Sequence, residues 1–435
     1  PGTYKVRVDA LDAKGKLMDV SPRWQFHGRI YEGRKEMFEE NKTISFTKYP
    51  SFQGPYSTAP RAYPQAALMA ARGDREQPSL CGTRRLCQVH ETFAGGDHGV
   101  QREIPGALFP NSLLARLSPS PIERREAMDF AGDMGLAIRI AGGRWKTGVP
   151  NVYQCDLPIV YRLLAGFLDL RRDTGDEQWA ECALALAESL ARVQEPSGAW
   201  RALDQATGKT YRPGGFFGSD ADELDPSLIL WQLGRLRHEL KTDRLLDAER
   251  KAYQYVMLNA VRTMQWPELG YHSLPLSYPH AMAGNTTIAF VRYLLDYAEP
   301  EKRDRALAEE LLRWCEDRHI DWTRPAESVP GDPIRPTSHG SCDGYRSSGY
   351  PARMAIQQAL GWLKLYALSG RPLHRAKAEA LANAVLLAQD PASGNVNIGL
   401  VAANPSFNRF ADNYGETARE LDEFAGLWEK LMRRR

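Results

Sequence analysis

CDLPIVYRLLAGFLDLRRDTGDEQWAECALALAESLARVQEPSGAW, residues 155–200, is the stretch whose reading decides the fold. Between 155 and 172 the apolar residues Leu157, Val160, Leu164, Phe167 and Leu168 recur at helical spacing. Between 177 and 193, Trp179, Cys182, Ala183, Leu186, Leu190 and Val193 do the same. Each segment thus carries one apolar stripe that needs a partner. Thr174-Gly175-Asp176 leaves room only for a reversal, so the two segments predict an antiparallel helical hairpin.

The unit returns along the chain. A helix at 226–240 leads through Lys241-Thr242-Asp243 into one at 244–263. Helix 286–298 leads through Pro300-Glu301-Lys302 into 303–318, and helix 352–368 through Ser369-Gly370-Arg371 into 372–388. An earlier unit is expected from a helix at 60–71, ending at Gly73-Asp74, with 122–141 as its partner; a last helix at about 413–431 closes the chain. Short links join the helices within a pair. Long connections at 194–225, 264–285, 319–351 and 389–412 join the pairs and hold most of the Gly, Pro, His and aromatic residues. If the pairs stack side by side, every short turn lies at one end and every long connection at the other. About six such pairs close into a ring; an open solenoid of the same hairpins is the alternative, although solenoid repeats are usually shorter. Residues 1–56 read differently. Tyr4-Lys-Val-Arg-Val-Asp-Ala10 alternates apolar and polar residues, Ala13-Lys-Gly-Lys16 is a turn signal, and Trp24, Phe26 and Gly28-Arg29-Ile30 extend a β-rich segment. The expected organisation is a β-rich segment at 1–56 and a mainly α domain at 57–435.

Composition sets outer limits. Of 435 residues, 43% are hydrophobic and 25% charged, which is ordinary globular usage and excludes collagen-like or wholly disordered chains. Lys and Arg number 56 against 54 Asp and Glu, so no single-sign field drives non-specific binding to nucleic acid. No apolar run reaches the length of a membrane span. Six cysteines in a chain of this length are not a disulfide scaffold, and Cys182 and Cys315 lie in apolar helical patterns as expected buried thiols. No leader-like segment is evident. The sequence leaves the compartment open, a periplasmic or secreted location being slightly favoured.

The run Leu168-Asp169-Leu170-Arg171-Arg172-Asp173-Thr174-Gly175-Asp176, an amphipathic helix, and then Gln194-Glu195-Pro196-Ser197-Gly198-Ala199-Trp200 resembles the six-hairpin (α/α) toroid superfamily, which includes glycoside hydrolases and polysaccharide lyases. The resemblance spans about residues 58–431. It implies an (α/α)6-type toroid and no individual family, so no catalytic residue is transferred. Gln194-x3-Gly198-x-Trp200 is also similar to the repeat motif of terpene cyclases, and Asp220-x-Asp222-Glu223 to their acidic motif, but Glu stands at 223 where Asp is expected.

In a toroid, chemistry sits in the long connections and in the first turns of the inner helices, whose N-termini favour anions such as uronates. Glycoside hydrolysis needs two carboxyl groups flanking the bond. Asp220, Asp222 and Glu223, just before helix 226–240, can supply one, unless they form only a solvated helix start with Asp225 as its cap. Asp156, Asp343, Asp412 and Glu416 hold matching positions in other units. β-Elimination needs a base, an acid and a group that neutralises the uronate carboxylate. His272, Tyr278, His280 and Asn285 offer that kit, with Asn285 otherwise capping the next helix. His339, Tyr345 and Arg346, in the polar run before helix 352–368, suit binding; the Arg346 fork matches a carboxylate. Trp145, Tyr153, Trp200, Trp266 and Tyr350 offer faces for sugar stacking, about half of these aromatics being expected in the core instead. Cys81, Cys87, His90 and His98 are zinc-compatible ligand types at a spacing that matches no common zinc motif, so no cofactor is expected. The leading expectation is a glycoside hydrolase acting on an acidic poly- or oligosaccharide. A polysaccharide lyase and a non-catalytic sugar-binding toroid are the alternatives. Neither a phosphate-binding Gly loop nor a Gly-x-Ser-x-Gly elbow occurs.

Overall fold

A computed structural model describes residues 4–7, 25–28, 52, 54–76, 112–129, 157–200, 226–262, 266, 284–322, 336–338, 352–394, 396 and 416–433. Among these, helices run as α1 (Tyr63–Glu76), α2 (112–117), α3 (121–129), α4 (Leu157–Thr174), α5 (Gln178–Arg192), α6 (Ser227–Leu240) and α7 (Leu246–Val256). They continue as α8 (Gly284–Arg292), α9 (Arg305–His319), α10 (Ala352–Ser369), α11 (Pro372–Leu387) and α12 (Glu416–Met432). α7 and α8 each run on into one π-helical turn, Met257–Val261 and Tyr293–Tyr297.

Two kinds of helix alternate. α6 is buried at every residue from Ser227 to Leu236, and α10 is buried without a break from 354 to 363. A helix apolar all round must be surrounded by protein. α5, α7 and α9 instead bury one stripe, as amphipathic helices of an outer layer do. Local chemistry ends each inner helix sharply. At the end of α4 the Thr174 hydroxyl donates to the Leu170 carbonyl, Gly175 takes φ of +71°, and Asp176 Oδ1 accepts from the Gln178 amide at the start of α5. α6 ends on Lys241 in the left-handed region. The Asp304 carboxylate caps α9 by accepting from the Leu307 amide at 2.8 Å. After Gly370, Pro372 opens α11 at the position where a missing N–H costs nothing.

The inner helices α2, α4, α6, α8, α10 and α12 are parallel and close a ring. Along α10 and α12, Gln357 meets Glu420 and, further on, Lys364 meets Glu423, a progression that fixes their parallel sense. Closure rests on contacts between the two ends of the chain. Arg116 of α2 pairs with Asp173 of α4 and with Asp422 of α12, 306 residues away. Tyr63 of α1 packs edge-on against Phe424 of α12 with ring centroids 4.9 Å apart. α1 therefore serves as the outer partner of α12, and α2–α3, joined by 118–120, form their own pair. This corrects the expected union of 60–71 with 122–141: the first helix pairs with the last, not with its neighbour in sequence. The long 122–141 helix is described only as 121–129. The outer ring is stitched by Arg72–Glu123 (α1–α3), Arg244 in the turn before α7 with Glu188 of α5, Arg250–Glu299, and Lys377–Glu316 (α11–α9).

The inner layer is also joined through one charged network that touches all six inner helices. Asp169 of α4 accepts from Arg235 of α6 at 2.8 Å and lies 3.7 Å from Arg419 of α12. Arg292 of α8 donates to Glu420 at 2.7 Å and to Glu423 at 2.7 Å. Lys364 of α10 bridges Asp296 and Glu423 at 2.8 and 2.9 Å. Arg116 ties α2 into the same set.

At the N-terminal end, β1 (Tyr4–Arg7) pairs antiparallel with β2 (Gln25–Gly28), Val6 opposite Phe26. The strands expected there are present, and the turn residues 13–16 lie outside the described residues. A second short ladder, β3 (Ile320–Asp321) with β4 (Thr337–Ser338), draws together the two sides of the connection from α9 to α10. Its base is anchored by Trp322, whose indole N–H donates to Glu316 at 2.7 Å while its carbonyl accepts from Tyr56 at 2.6 Å.

Candidate active site

Because every described short turn joins an inner helix to an outer one, the outer helices end and the inner helices begin on one rim. The starts of α4, α6, α8, α10 and α12 put their free N–H groups on that rim, and their dipoles favour negative charge there. Below the rim the ring is polar. Ser227, Gln232, Thr286, Thr287, Gln357, Gln358, Thr417, Arg419 and Glu420 are all buried. Trp231 lies among them with the Arg292 guanidinium 4.6 Å and the Arg419 guanidinium 5.8 Å from its ring centroid, two cation–π contacts to one indole.

The carboxylates of this floor are committed. Glu420 accepts from Arg292 on one oxygen and from Gln357 and Arg419 on the other. Burial pushes the Asp169 carboxyl up, but Arg235, Arg172 and Arg419 together pull it below its ordinary value. Burial likewise raises Glu423, and Arg292 and Lys364 hold it well below the carboxylate range. A general acid needs the opposite, a carboxyl kept protonated near neutral pH. Asp169 and Glu423 therefore do not suit the role of general acid.

The sequence-derived site residues divide sharply. Asp156, Asp220, Asp222, Glu223, His272, Tyr278, His280, Asp343, Trp145, Tyr153, His339, Tyr345, Arg346, Tyr350 and Asp412 lie outside the described residues, as do Cys81, Cys87, His90 and His98. In sequence they precede the inner helices: Asp156 is the residue before α4, and Asp220–Glu223 lie four to seven residues before α6. Asn285 falls in the first turn of α8, which starts at Gly284. Trp200 and Trp266 are core residues, 1% and 0% exposed, which corrects their assignment as stacking faces. The reason is local. The turn at Gly198 folds the chain back so that the Trp200 indole donates to the Leu190 carbonyl at 3.0 Å, and Trp266 packs on Phe290 of α8.

Gln194 also has a structural role. Its amide donates to the Gly198 carbonyl at 2.9 Å and to Ala248 of α7 at 3.0 Å, linking one outer helix to the next. A second copy was hidden by one inserted residue: Gln389 donates to Gly394 at 2.8 Å and to Ala66 of α1 at 2.9 Å. Gln389-x-Pro391-x2-Gly394 is thus the counterpart of Gln194-x-Pro196-x-Gly198, and it is the seam where the ring closes.

Cys315 is a buried free thiol and Cys182 a half-buried one. Among the described residues no group of three or more His, Cys, Asp or Glu is placed to hold a metal ion, and no helix is long and apolar enough to cross a membrane.

Acid is expected to weaken this architecture in two stages. His374 is buried against Trp362, and burial, with Arg371, keeps it neutral against the pull of Glu309. An unfolded histidine charges below about pH 6.5, so stability begins to fall there. Asp169, Glu423 and Glu299 are depressed in the fold; hydrogen bonds from Arg250 bring Glu299 to about 2. Their contribution is complete above the unfolded carboxylate value near about pH 4 and is lost as pH falls through the folded values. Asp422, raised by burial, works the other way. Urea midpoints measured from pH 8 to pH 3 should fall gently below 6.5 and steeply below 4; a flat profile would contradict the charge assignment.

No known family matches the sequence, and no curated protein does. Solved structures do resemble it. An unsaturated glucuronyl hydrolase specific for heparin aligns with 85% of this chain and 97% of its own at 14% identity and a TM-score of 0.50. A family 76 glycoside hydrolase from a bovine Bacteroides thetaiotaomicron strain aligns over 85% and 79% at 12% identity and a TM-score of 0.50. A protein from Listeria innocua aligns over 86% and 99% at 10% identity, again with a TM-score of 0.50. The fold is the (α/α)6 toroid, shared with these glycoside hydrolases.

Proposed function

We propose that the protein is a carbohydrate-active enzyme that hydrolyses glycosidic bonds in an acidic, uronate-containing poly- or oligosaccharide. The observation that supports this most strongly is that the described inner helices begin, and the outer helices end, on one rim. That rim favours an anionic ligand through the N-terminal dipoles of its helices. The floor carboxylates are ion-paired, so the acid and its partner come from the connections. Asp220, Asp222 or Glu223 supplies one group, and Asp156 or Asp343 the other. One carboxyl protonates the leaving oxygen while the other attacks the anomeric carbon or activates water. Tyr153, His339, Tyr345, Arg346 and Tyr350 bind the sugar, with Arg346 on the uronate.

Saturated uronate-rich oligosaccharides distinguish the chemistries. Hydrolysis releases reducing ends without new ultraviolet absorbance, whereas elimination through His272, Tyr278 or His280 adds a conjugated double bond. We expect reducing ends alone, with a loss of roughly 100-fold or more in kcat for Asp222→Asn and little change for His280→Ala. Absorbance that grows with turnover and vanishes in His280→Ala would establish the lyase. Binding without cleavage of any glycan would establish a sugar-binding toroid.

A further inference from the structure

Residues 54–62 lead into α1 and form neither helix nor strand, yet Phe52, Tyr56 and Ala59 pack against the core. A segment without a ladder of its own spends its polar groups elsewhere. Here two side chains are spent on the exits of outer helices. The Tyr56 hydroxyl donates at 2.6 Å to the carbonyl of Trp322, three residues beyond α9. The Arg61 guanidinium donates at 2.6 Å to Oε1 of Gln389, two residues beyond α11.

Each contact falls where a long connection begins. Trp322 is 2% exposed, and among the described residues its carbonyl accepts from Tyr56 alone. Its indole N–H is spent on Glu316, whose other oxygen accepts from Lys377 of α11 at 2.8 Å. Phe52 and Tyr56 pack on the same indole, with ring centroids 5.1 and 5.9 Å away. Beside this anchor the β3–β4 ladder consists of two residue pairs, Ile320 with Ser338 and Asp321 with Thr337. So short a pair of strands does not sustain itself in water, so the Trp322 anchor is what ties it to the ring. His339 follows β4 directly, and Tyr345 and Arg346 lie further along the same connection. At the exit of α11 the anchor is Gln389. Its amide nitrogen donates to Ala66 and Gly394 and its oxygen accepts from Arg61, so both ends of the amide are used.

We propose that residues 52–61 form a clasp that sets the connections 319–351 and 389–412 together, with Tyr56 and Arg61 as positioning residues for the groups those connections bring to a substrate. No candidate chemistry lies in the clasp itself. Its consequence for substrate binding rests on the hydrolase reading, whereas the clasp does not.

The test uses the full chain and two readouts. Hydrogen–deuterium exchange, resolved by peptide, compares the wild type with Tyr56→Phe, Arg61→Met and Tyr63→Phe. Tyr56→Phe should speed exchange about three- to tenfold in the peptides that hold 320–322 and 336–338, the factor that one hydrogen bond contributes. Arg61→Met should do the same in the peptides that hold 389–396. Tyr63→Phe loses a hydroxyl bonded to Asn383 within α11 at 2.8 Å, and should leave both regions as in the wild type. On a uronate-rich oligosaccharide, Tyr56→Phe should raise KM by the same factor and leave kcat within about twofold, because a loosened connection must be ordered on binding. Tyr63→Phe should change neither constant. Exchange at β3 and β4 unchanged in Tyr56→Phe, or a loss carried by kcat alone, would overturn the proposal. A wild type that cleaves no such glycan would overturn the hydrolase reading, and exchange in the three variants would still decide the clasp.

Discussion

Glu420→Ala should lower the unfolding free energy by about 3–5 kcal/mol, the usual cost of removing one partner from a buried ion pair. Glu420 is fully buried and takes hydrogen bonds from Arg292, Gln357 and Arg419, so three donors on three inner helices lose their acceptor at once. Arg292 is 2% exposed and cannot turn to water. It keeps Glu423 and Asp296, which places the expected loss inside that range and not above it. The contrast is Glu177→Ala, which breaks the pair with Arg171. The Glu177 side chain is 70% exposed, and solvent screens such a pair, so its loss should be small. Urea unfolding of the two variants should therefore give clearly separated midpoints. Equal midpoints would mean that the axial network does not hold the inner helices together.

The second large effect is expected at the glycines of the two glutamine turns. Gly394 has φ of +77°, and a Cβ there would lie 2.2 Å from the Met69 carbonyl oxygen of α1. Gly198 has φ of +99°, with the Lys251 carbonyl oxygen of α7 2.1 Å from the same point. Alanine meets both backbone strain and a collision with a neighbouring helix that cannot move without dragging its ladder. Gly394→Ala and Gly198→Ala should each cost about 3 kcal/mol or more, at the upper end of strain and overpacking effects. Gly175 provides the internal control. Its φ is +71°, but nothing lies within 4 Å of an added Cβ, so Gly175→Ala should cost only the left-handed penalty of about 1–2 kcal/mol. Thermal unfolding of the three variants separates collision from strain. A similar loss in all three would mean that the turns do not press on the next outer helix.

Much of this architecture was legible. Helices α4 to α12 begin and end within a few residues of where apolar periodicity and the short polar turns put them, because burial of one stripe and a reversal of a few residues are local requirements. Ring closure was not. The pairing of α1 with α12 joins residues more than 300 apart, and periodicity says which face is buried without saying against what. Helix α2 escaped notice because six residues give too few turns to show a period. The axial network escaped for a related reason. Arg235, Arg292 and Lys364 look like the polar face of an amphipathic helix. The signal that they are buried is the apolar run on both sides, as in Ile288-Ala-Phe-Val-Arg292-Tyr-Leu-Leu295. Trp200 and Trp266 were assigned to a cleft because they follow helix ends, whereas the Gly198 turn and the Phe290 contact carry them into the core. Of the candidate chemistry, sequence supplies the residue types in the connections, and the fold supplies the common rim.

A distance between the first and last helices tests the closed ring most directly. Gln65 of α1 and Gly426 of α12 are both exposed, and an added Cβ at Gly426 meets nothing within 4 Å. Keto-bearing residues introduced at these two positions accept spin labels without involving the native thiols, and pulsed dipolar spectroscopy reads their separation. Packed helix axes lie about 8–10 Å apart, so with label arms a closed ring gives one narrow distribution below roughly 30 Å. An open arc of six stacked pairs would separate its ends by roughly 50 Å or more, and a distribution centred there would contradict the toroid and the shared rim built on it.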